Sequence, residues 1–363
     1  MSTDQHHARV AFVGAGPGDP GLLTMRAARL IENADAVIFD QICGERFVAP
    51  FVRDEVELVD AGYGDAGAQL TTASRAKLVV KTAKSVAAQH DDADSSGRGG
   101  EQPLVVRLMD GDPSTFHGLA EEALACSKAG IDFEIVPGVS AVSAVPAYAG
   151  VPLTDAKART VHVVTAGDPK IDWARSIDAC ITVVVLGQAD ALKTSLCELR
   201  EAGRRGNTPV ALTENGTTIT QSTVTTTLDE VPAVLKRSSF DGPVMAIVGS
   251  TVAHRDLLSW WENKPLFGWN VLVPRTKEQS GSMIERLTTH GATSTVVPTI
   301  SVEPPRTPQQ MEKAVKGLVT GRYEWVGFTS VNAVRAVREK FAEFGLDAVS
   351  YTHLRAHETS LHL

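Results

Sequence analysis

The chain has 363 residues, 43% of them hydrophobic and 21% charged, which is enough to bury a sizeable core and excludes disorder along the whole length. Lys and Arg number 35 against 43 Asp and Glu, a formal charge of -8, which argues against a protein that works mainly on nucleic-acid phosphates. The four cysteines, Cys43, Cys126, Cys180 and Cys197, form no Cys-x-x-Cys pair. Neither a metal site nor a disulfide framework is therefore expected, and a reducing cytoplasm is the simple reading.

The N-terminal stretch MSTDQHHARVAFVGAG has neither a basic n-region nor a long apolar h-region. Val10–Val13 reads as a strand and Pro20–Asn33 as one helix, with Asp19 as N-cap and Pro20 at the first helical position. Ala36–Phe39 and Val56–Val59 read as strands, Ser74–Ala88 as a helix, and His90–Gln102, which lacks an apolar anchor, as a loop. Lys77, Lys81 and Lys84 share a face of that helix and read as a solvated stripe. Leu104–Leu108, Phe133–Val136 and Val161–Thr165 continue the strands. The uncharged run from Ile135 to Thr154 is long enough for a bilayer, but it carries Pro137, Gly138, Pro146, Gly150 and Pro152. It is read as a buried turn, helix and loop, with no membrane partner.

Cys180–Leu186 reads as a strand, Ala189–Gly203 as a helix, and Val210–Thr213 as a strand. Asn215-Gly216 and the alternating stretch behind it predict a hairpin or meander, closed by the strand Pro243–Val248. After Trp260-Trp261, expected to pack the end of this second lobe, Glu262–Gly268 reads as a linker. Asn270–Val273, Thr295–Val297 and Trp325–Phe328 then read as strands, and Ser282–His290, Pro308–Leu318 and Val331–Phe344 as helices. The class is α/β: a lobe over 8–150, a second over 151–262, a partial α/β segment over 268–348, and a tail, 349–363, that continues no pattern.

Three turns follow strand ends. Gly14-Ala-Gly16-Pro-Gly18-Asp19-Pro20-Gly21 offers close backbone approach and a helix N-terminus, although Asp19 stands where a dinucleotide fingerprint has its third glycine. Asp110-Gly111-Asp112-Pro113 and Pro137-Gly138-Val139-Ser140-Ala141 are the others. Each alone could be a plain turn. Three at the C-terminal ends of strands in one sheet point to one crevice.

These residues carry a resemblance. GAGPGDPGLLTMRA, VIFD, VVRLMDGDPSTF, EIVPGVSAVSAVPAYAGVPLT and PVALTENGT occur in the order of the tetrapyrrole methylases, in particular the uroporphyrinogen-III C-methyltransferases, over about residues 8–262. The resemblance implies two α/β lobes with S-adenosylmethionine in the inter-lobe cleft, a homodimer, and methylation of uroporphyrinogen III at carbons 2 and 7 to precorrin-2, towards sirohaem and cobalamin. It places Pro17, Asp110, Gly111, Asp112, Thr115, Ser140, Ala141, Leu186 and Gly216 by the cofactor, and Asp40 as proton acceptor. A base there suits the chemistry, because a proton must leave after a methyl group joins a pyrrole carbon. Arg107 and His117 are the candidates for contact with the substrate and its eight carboxylates.

The chain departs from the family in three places. A lysine after the third strand is absent from Asp60-Ala61-Gly62-Tyr63-Gly64, the arginine of Phe-Gly-Arg-Gly-Gly is absent from Phe116-His117-Gly118-Leu119-Ala120, and Leu186-Gly187 replaces Met-Gly. Another precorrin methyltransferase, or a module that binds tetrapyrrole or cofactor without turnover, therefore remain as alternatives.

The third segment resembles uroporphyrinogen-III synthase, in LVPRTKEQSGSMIERLTTHGATSTVVPTISVEPP and YEWVGFTSVNAVRAV. The resemblance places Arg275, Thr329 and Ser330 near substrate carboxylates. The segment is short for that family, so a truncated, inactive synthase part is expected. VSYTHLRAHETSLHL resembles sequencing-adapter read-through and is expected to be foreign to the native protein.

Overall fold

The computed structural model describes residues 8–40, 44–53, 55–63, 70–94, 102–238, 240, 242–274, 277–297, 308–323, 327 and 331–345. The first lobe is a parallel sheet of β1 (Arg9–Gly14), β2 (Ala36–Phe39), β3 (Glu57–Asp60), β4 (Leu104–Met109) and β5 (Phe133–Val136), in the order β3-β2-β4-β1-β5. Crossover helices cover both faces, so the central strands are apolar runs rather than alternating ones. One face packs Phe12, Ile38 and Met109 against α3 (Thr72–Asp94) and α4 (Leu119–Lys128). The other packs Val13, Val37 and Leu108 against α1 (Met25–Glu32) and the short α2 (Glu45–Val48).

Two expectations change here. The helix expected over Pro20–Asn33 is a 3-10 turn, Pro20–Leu22, followed by α1. Asp19 does cap its turn, accepting from Gly21 N at 2.8 Å, but Thr24 starts α1, accepting from Ala27 N at 3.1 Å. α3 runs to Asp94, so the first residues of the expected His90–Gln102 loop are helical. Lys77, Lys81 and Lys84 are exposed along it.

The second lobe is a mixed sheet of β6 (Thr160–Thr165), β7 (Ile181–Gly187), β8 (Pro209–Glu214), β9 (Ser222–Thr227) and β10 (Val244–Val248), in the order β6-β7-β10-β8-β9. β6 and β7 run parallel and the other pairs antiparallel, including the expected β8–β9 meander. α6 (Ala189–Glu201) and α7 (Val231–Arg237) cover one face. α5 (Ala141–Tyr148) and its C-cap Ala149 cover the other, with Val145 and Ala149 against Val184, Ala211, Met245 and Ile247. The boundary expected at residue 150 puts this helix at the end of the first lobe, but it packs on the second sheet.

The chain divides into two compact units, one of residues up to Val271 with Arg286–Thr293, the other of Leu272–Glu285 with residues from Ser294 on. The first includes α8 (Arg255–Leu258), the buried Trp261, and the expected linker, in which Leu266 N donates to His290 O at 2.9 Å. Beyond it come β11 (Asn270–Val273), α9 (Lys277–Thr289), β12 (Thr293–Val296), α10 (Pro308–Val319) and α11 (Val331–Glu343). Arg275, Thr329, Ser330, most of the strand expected over Trp325–Phe328, and the tail lie outside the described residues. Among the described residues no helix is long and apolar enough to cross a membrane.

Arg107 interrupts the apolar run of β4, and its side chain is completely buried. Its Nε donates to Glu122 Oε2 at 2.7 Å and its Nη2 to Asp40 Oδ1 at 2.6 Å. Glu122, on α4, is equally buried, and Arg75 reaches it from α3 at 3.3 Å. Two buried charges are tolerable only as a pair with their hydrogen bonds met. Glu122→Ala is expected to lower the unfolding free energy by about 3–5 kcal/mol, because it strips the buried guanidinium of its main partner. Urea denaturation checks this, and a loss below about 1 kcal/mol, the range of a surface pair, would contradict it.

Candidate functional site

The three turns meet through backbone. Gly16 and Gly111 exchange hydrogen bonds, N to O at 3.1 Å and 2.8 Å. A Cβ on Gly14 would stand 2.5 Å from Gly138 Cα, and one on Gly138 would run into Gly111 O. Asp112 completes the join: Oδ1 accepts from Ser114 N at 2.9 Å and Oδ2 from Gly138 N at 2.9 Å. Burial raises its pKa, but the hydrogen bonds from Ser114 and Gly138, with nearby His117, outweigh that and hold the carboxyl below its ordinary range. Ser140 caps α5, its Oγ accepting from Val142 N at 3.3 Å.

Above these turns lies a cleft of about 310 Å³ between the lobes. Of the sequence-derived residues, Pro17, Thr115, His117, Ser140, Ala141, Leu186 and Gly216 line it. Asp110, Gly111 and Asp112 do not; they form the turn behind the lining, with Asp112 committed to the chain itself. Asp40 lies at the end of β2, its side chain 13% exposed, with Oδ1 held by Arg107. Arg107 requires a correction: completely buried and spent on Glu122, Asp40 and Leu108 O, it has no surface for a substrate carboxylate and anchors Asp40 instead.

His117 lines both the cleft and an adjoining hollow of about 480 Å³, which is also bordered by Phe116, Leu124, Phe133 and Ile135. Burial, with Arg107 and Arg75, lowers its pKa against the opposing pull of Asp110 and Asp40, so the imidazole is neutral near pH 7. The residue at the family's arginine position, Gly118, has φ 79°, and a Cβ there would stand 2.7 Å from Thr72 Cγ2. An arginine in this backbone conformation would be strained and would have to displace Thr72.

Sequence reasoning missed Phe116, which lines the cleft at φ 65° with no signal in its residue type. The turn expected at Asn215-Gly216 is present, with Asn215 at φ 49°, but the left-handed conformation of the following Thr217 (φ 70°) was missed, since a β-branched residue gives no such signal. Gly216 presents bare backbone there, since a Cβ would meet Val145 Cγ2 at 2.5 Å. Among the described residues no group of three or more potential metal ligands comes together.

The family profile described as Tetrapyrrole (Corrin/Porphyrin) Methylases matches residues 9–232, and that described as Uroporphyrinogen-III synthase HemD matches 281–356, past Ala348. A siroheme synthase of Azotobacter vinelandii is 37% identical over 264 residues, 70% of this chain and 52% of that protein. An S-adenosyl-L-methionine-dependent uroporphyrinogen III methyltransferase of Methanosarcina barkeri is 31% identical over 260 residues, 70% of this chain and 95% of that one. The crystal structure of uroporphyrin-III C-methyl transferase from Thermus thermophilus complexed with S-adenyl homocysteine superposes with a TM-score of 0.54 at 29% identity, over 68% of this chain and 99% of that chain. This chain spans about half the length of the siroheme synthases it matches.

Because the fold holds His117 neutral, it resists a proton that the unfolded chain takes up through the ordinary histidine range near pH 6.5. Its contribution is thus present above that range and lost as pH falls below it. Between about pH 7.5 and about pH 5.5 the melting temperature of His117→Asn is expected to fall less than that of the parent. Parallel curves by circular dichroism would contradict the assignment.

Proposed function

The chain belongs to the tetrapyrrole (corrin/porphyrin) methylase family, and on that premise we propose that its first unit transfers methyl groups from S-adenosylmethionine to carbons 2 and 7 of uroporphyrinogen III, giving precorrin-2. The observation that carries this is the inter-lobe cleft lined by His117, whose imidazole feels the charge of Asp40 behind it. Its lining suits the cofactor: bare backbone at Gly216, apolar walls from Val145, Leu186 and Met245, and hydroxyls of Thr115 and Ser140. That mixture fits a flat base, a sugar and an amino-acid end. When bound, the cofactor supplies an electrophilic methyl on a sulfonium.

The chain's own residues then position and deprotonate. Pro17, Thr115, Ser140, Ala141, Leu186 and Gly216 orient the cofactor, and Asp110, Gly111 and Asp112 hold the turn beneath it. Positioning of a reactive methyl is where much of the rate advantage arises. Asp40 accepts the proton that leaves the methylated ring system. Arg107 fixes the orientation of that carboxylate from inside the core. His117, neutral and at the cleft wall, can accept a hydrogen bond from a pyrrole N–H at one ring nitrogen or donate its other ring N–H to a propionate. This does not need the lysine and arginine absent here.

The hollow beside the cleft exposes Leu124, Phe133 and Ile135 on α4 and the edge strand β5. Such an apolar patch supports a homodimer. A cytoplasmic location follows from the reading as a biosynthetic enzyme. The HemD-like segment supports synthase chemistry in the whole protein.

Incubation with labelled S-adenosylmethionine and uroporphyrinogen III is the test, with products carrying one and then two added methyl groups read by mass spectrometry. Absence of methylated product would overturn the reading. Asp40→Asn is expected to lower kcat about 10²-fold or more, the scale of a lost general base, while affinity for S-adenosylhomocysteine stays within about threefold. Loss of both together would assign Asp40 to the architecture of the cleft.

A further inference from the structure

The stretch that reads as a linker is instead bonded to the loop that faces the cleft. Glu262, its side chain 16% exposed, receives three hydrogen bonds: Oε1 accepts from Gln221 Nε2 at 2.7 Å and Thr223 Oγ1 at 2.6 Å, and Oε2 from Arg255 at 2.5 Å. Gln221 is buried and turns its amide oxygen to Thr217, accepting from Thr217 N at 2.7 Å. Thr217 is fully buried at φ 70°, a left-handed conformation that a β-branched residue rarely adopts. Such a conformation persists only where its surroundings over-determine it. Thr217 Oγ1 in turn accepts from Asp19 N at 3.1 Å, joining this loop to the first glycine turn. Nearby, Trp261 Nε1 donates to Thr218 O at 2.9 Å, and the Trp261 ring packs on Tyr148, whose hydroxyl donates to Asp19 Oδ2 at 2.7 Å.

We propose that Glu262 is a positioning residue for the cofactor cleft: by orienting the Gln221 amide it holds Asn215–Thr217 in the left-handed turn that presents Gly216. A carboxylate with both oxygens occupied fixes which end of the Gln221 amide faces outward, because the NH2 must point to Glu262. The carbonyl oxygen is thereby left for Thr217 N. Without Glu262 the amide is free to flip and offer Thr217 a donor in place of an acceptor. The inference rests on the reading of the cleft as an S-adenosylmethionine site.

The test is calorimetric titration of the full chain with S-adenosylhomocysteine, well below the unfolding temperature of each variant. Glu262→Ala and Gln221→Met are each expected to raise Kd about tenfold, the cost of one buried hydrogen bond left unmade, and the double variant no more than the larger single effect. Non-additivity in Kd is the signature of one relay, which a loss of overall stability would not produce. Trp261→Phe, which keeps an aromatic side chain but deletes the donor to Thr218 O together with part of the indole surface, leaves the Glu262–Gln221 pair intact and is expected to raise Kd only about threefold. Parental affinity in all these variants, or effects that multiply in the double variant, would overturn the proposal. A parent chain that binds no S-adenosylhomocysteine would overturn the cofactor reading itself, and the proposal with it.

Discussion

Three strands of one parallel sheet end at the same edge, and their following turns touch backbone to backbone at Gly14, Gly111 and Gly138. A methyl group at Gly14 or Gly138 would overlap main-chain atoms, which cannot step aside as a flexible side chain can. Much else follows from that approach. It sets the height of the Asp112 carboxylate, which receives the Gly138 N–H and ties the second turn to the third. It also sets where α5 starts, with Ser140 as its cap, and so where the floor of the cleft lies.

The second constraint is electrostatic. A guanidinium in the centre of a parallel sheet is an expensive choice, since dispensing with the charge would often be neutral or stabilising. Arg107 lies in β4 between β1 and β2, and it reaches the Asp40 carboxylate at the end of β2 while Glu122 neutralises it from α4. The arrangement holds one carboxylate in one orientation at the crevice. Its consequence for His117 is a field in which two arginines and burial outweigh two aspartates, leaving the ring neutral.

The two lobes are coupled through more than the connecting chain. α5 follows a first-lobe turn yet packs on the second sheet, so the cleft floor and the second lobe share one helix. Asp19 and Thr217 make a direct bond across the lobes, and Tyr148 secures the Asp19 side chain from α5. Trp260 and Trp261 pack on Tyr148, and Lys264 lies over Trp261 at 4.1 Å, so the segment behind α8 is part of this junction rather than a spacer.

What the sequence determined by itself is what local chemistry decides. The bounds of β2 and β5 follow from short β-rich apolar runs, and the three turns from Gly, Pro and Asp next to strand ends. The family motifs likewise located Pro17, Thr115, Ser140, Ala141, Leu186 and Gly216, all of which border the cleft. Only the tertiary structure decided that Arg107 is an anchor rather than a substrate contact, because its burial depends on Glu122 from a different helix. It also decided that Asp112 serves the chain's own turns, that Phe116 and Thr217 take left-handed conformations, and that Glu262 is bonded to Gln221 rather than lying in a free linker. These depend on partners distant in the chain, such as Asp19 with Thr217 at a separation of 198 residues. Periodicity and turn propensity are sums over neighbours in sequence, whereas a buried charge or a strained loop is stable only by virtue of neighbours in space.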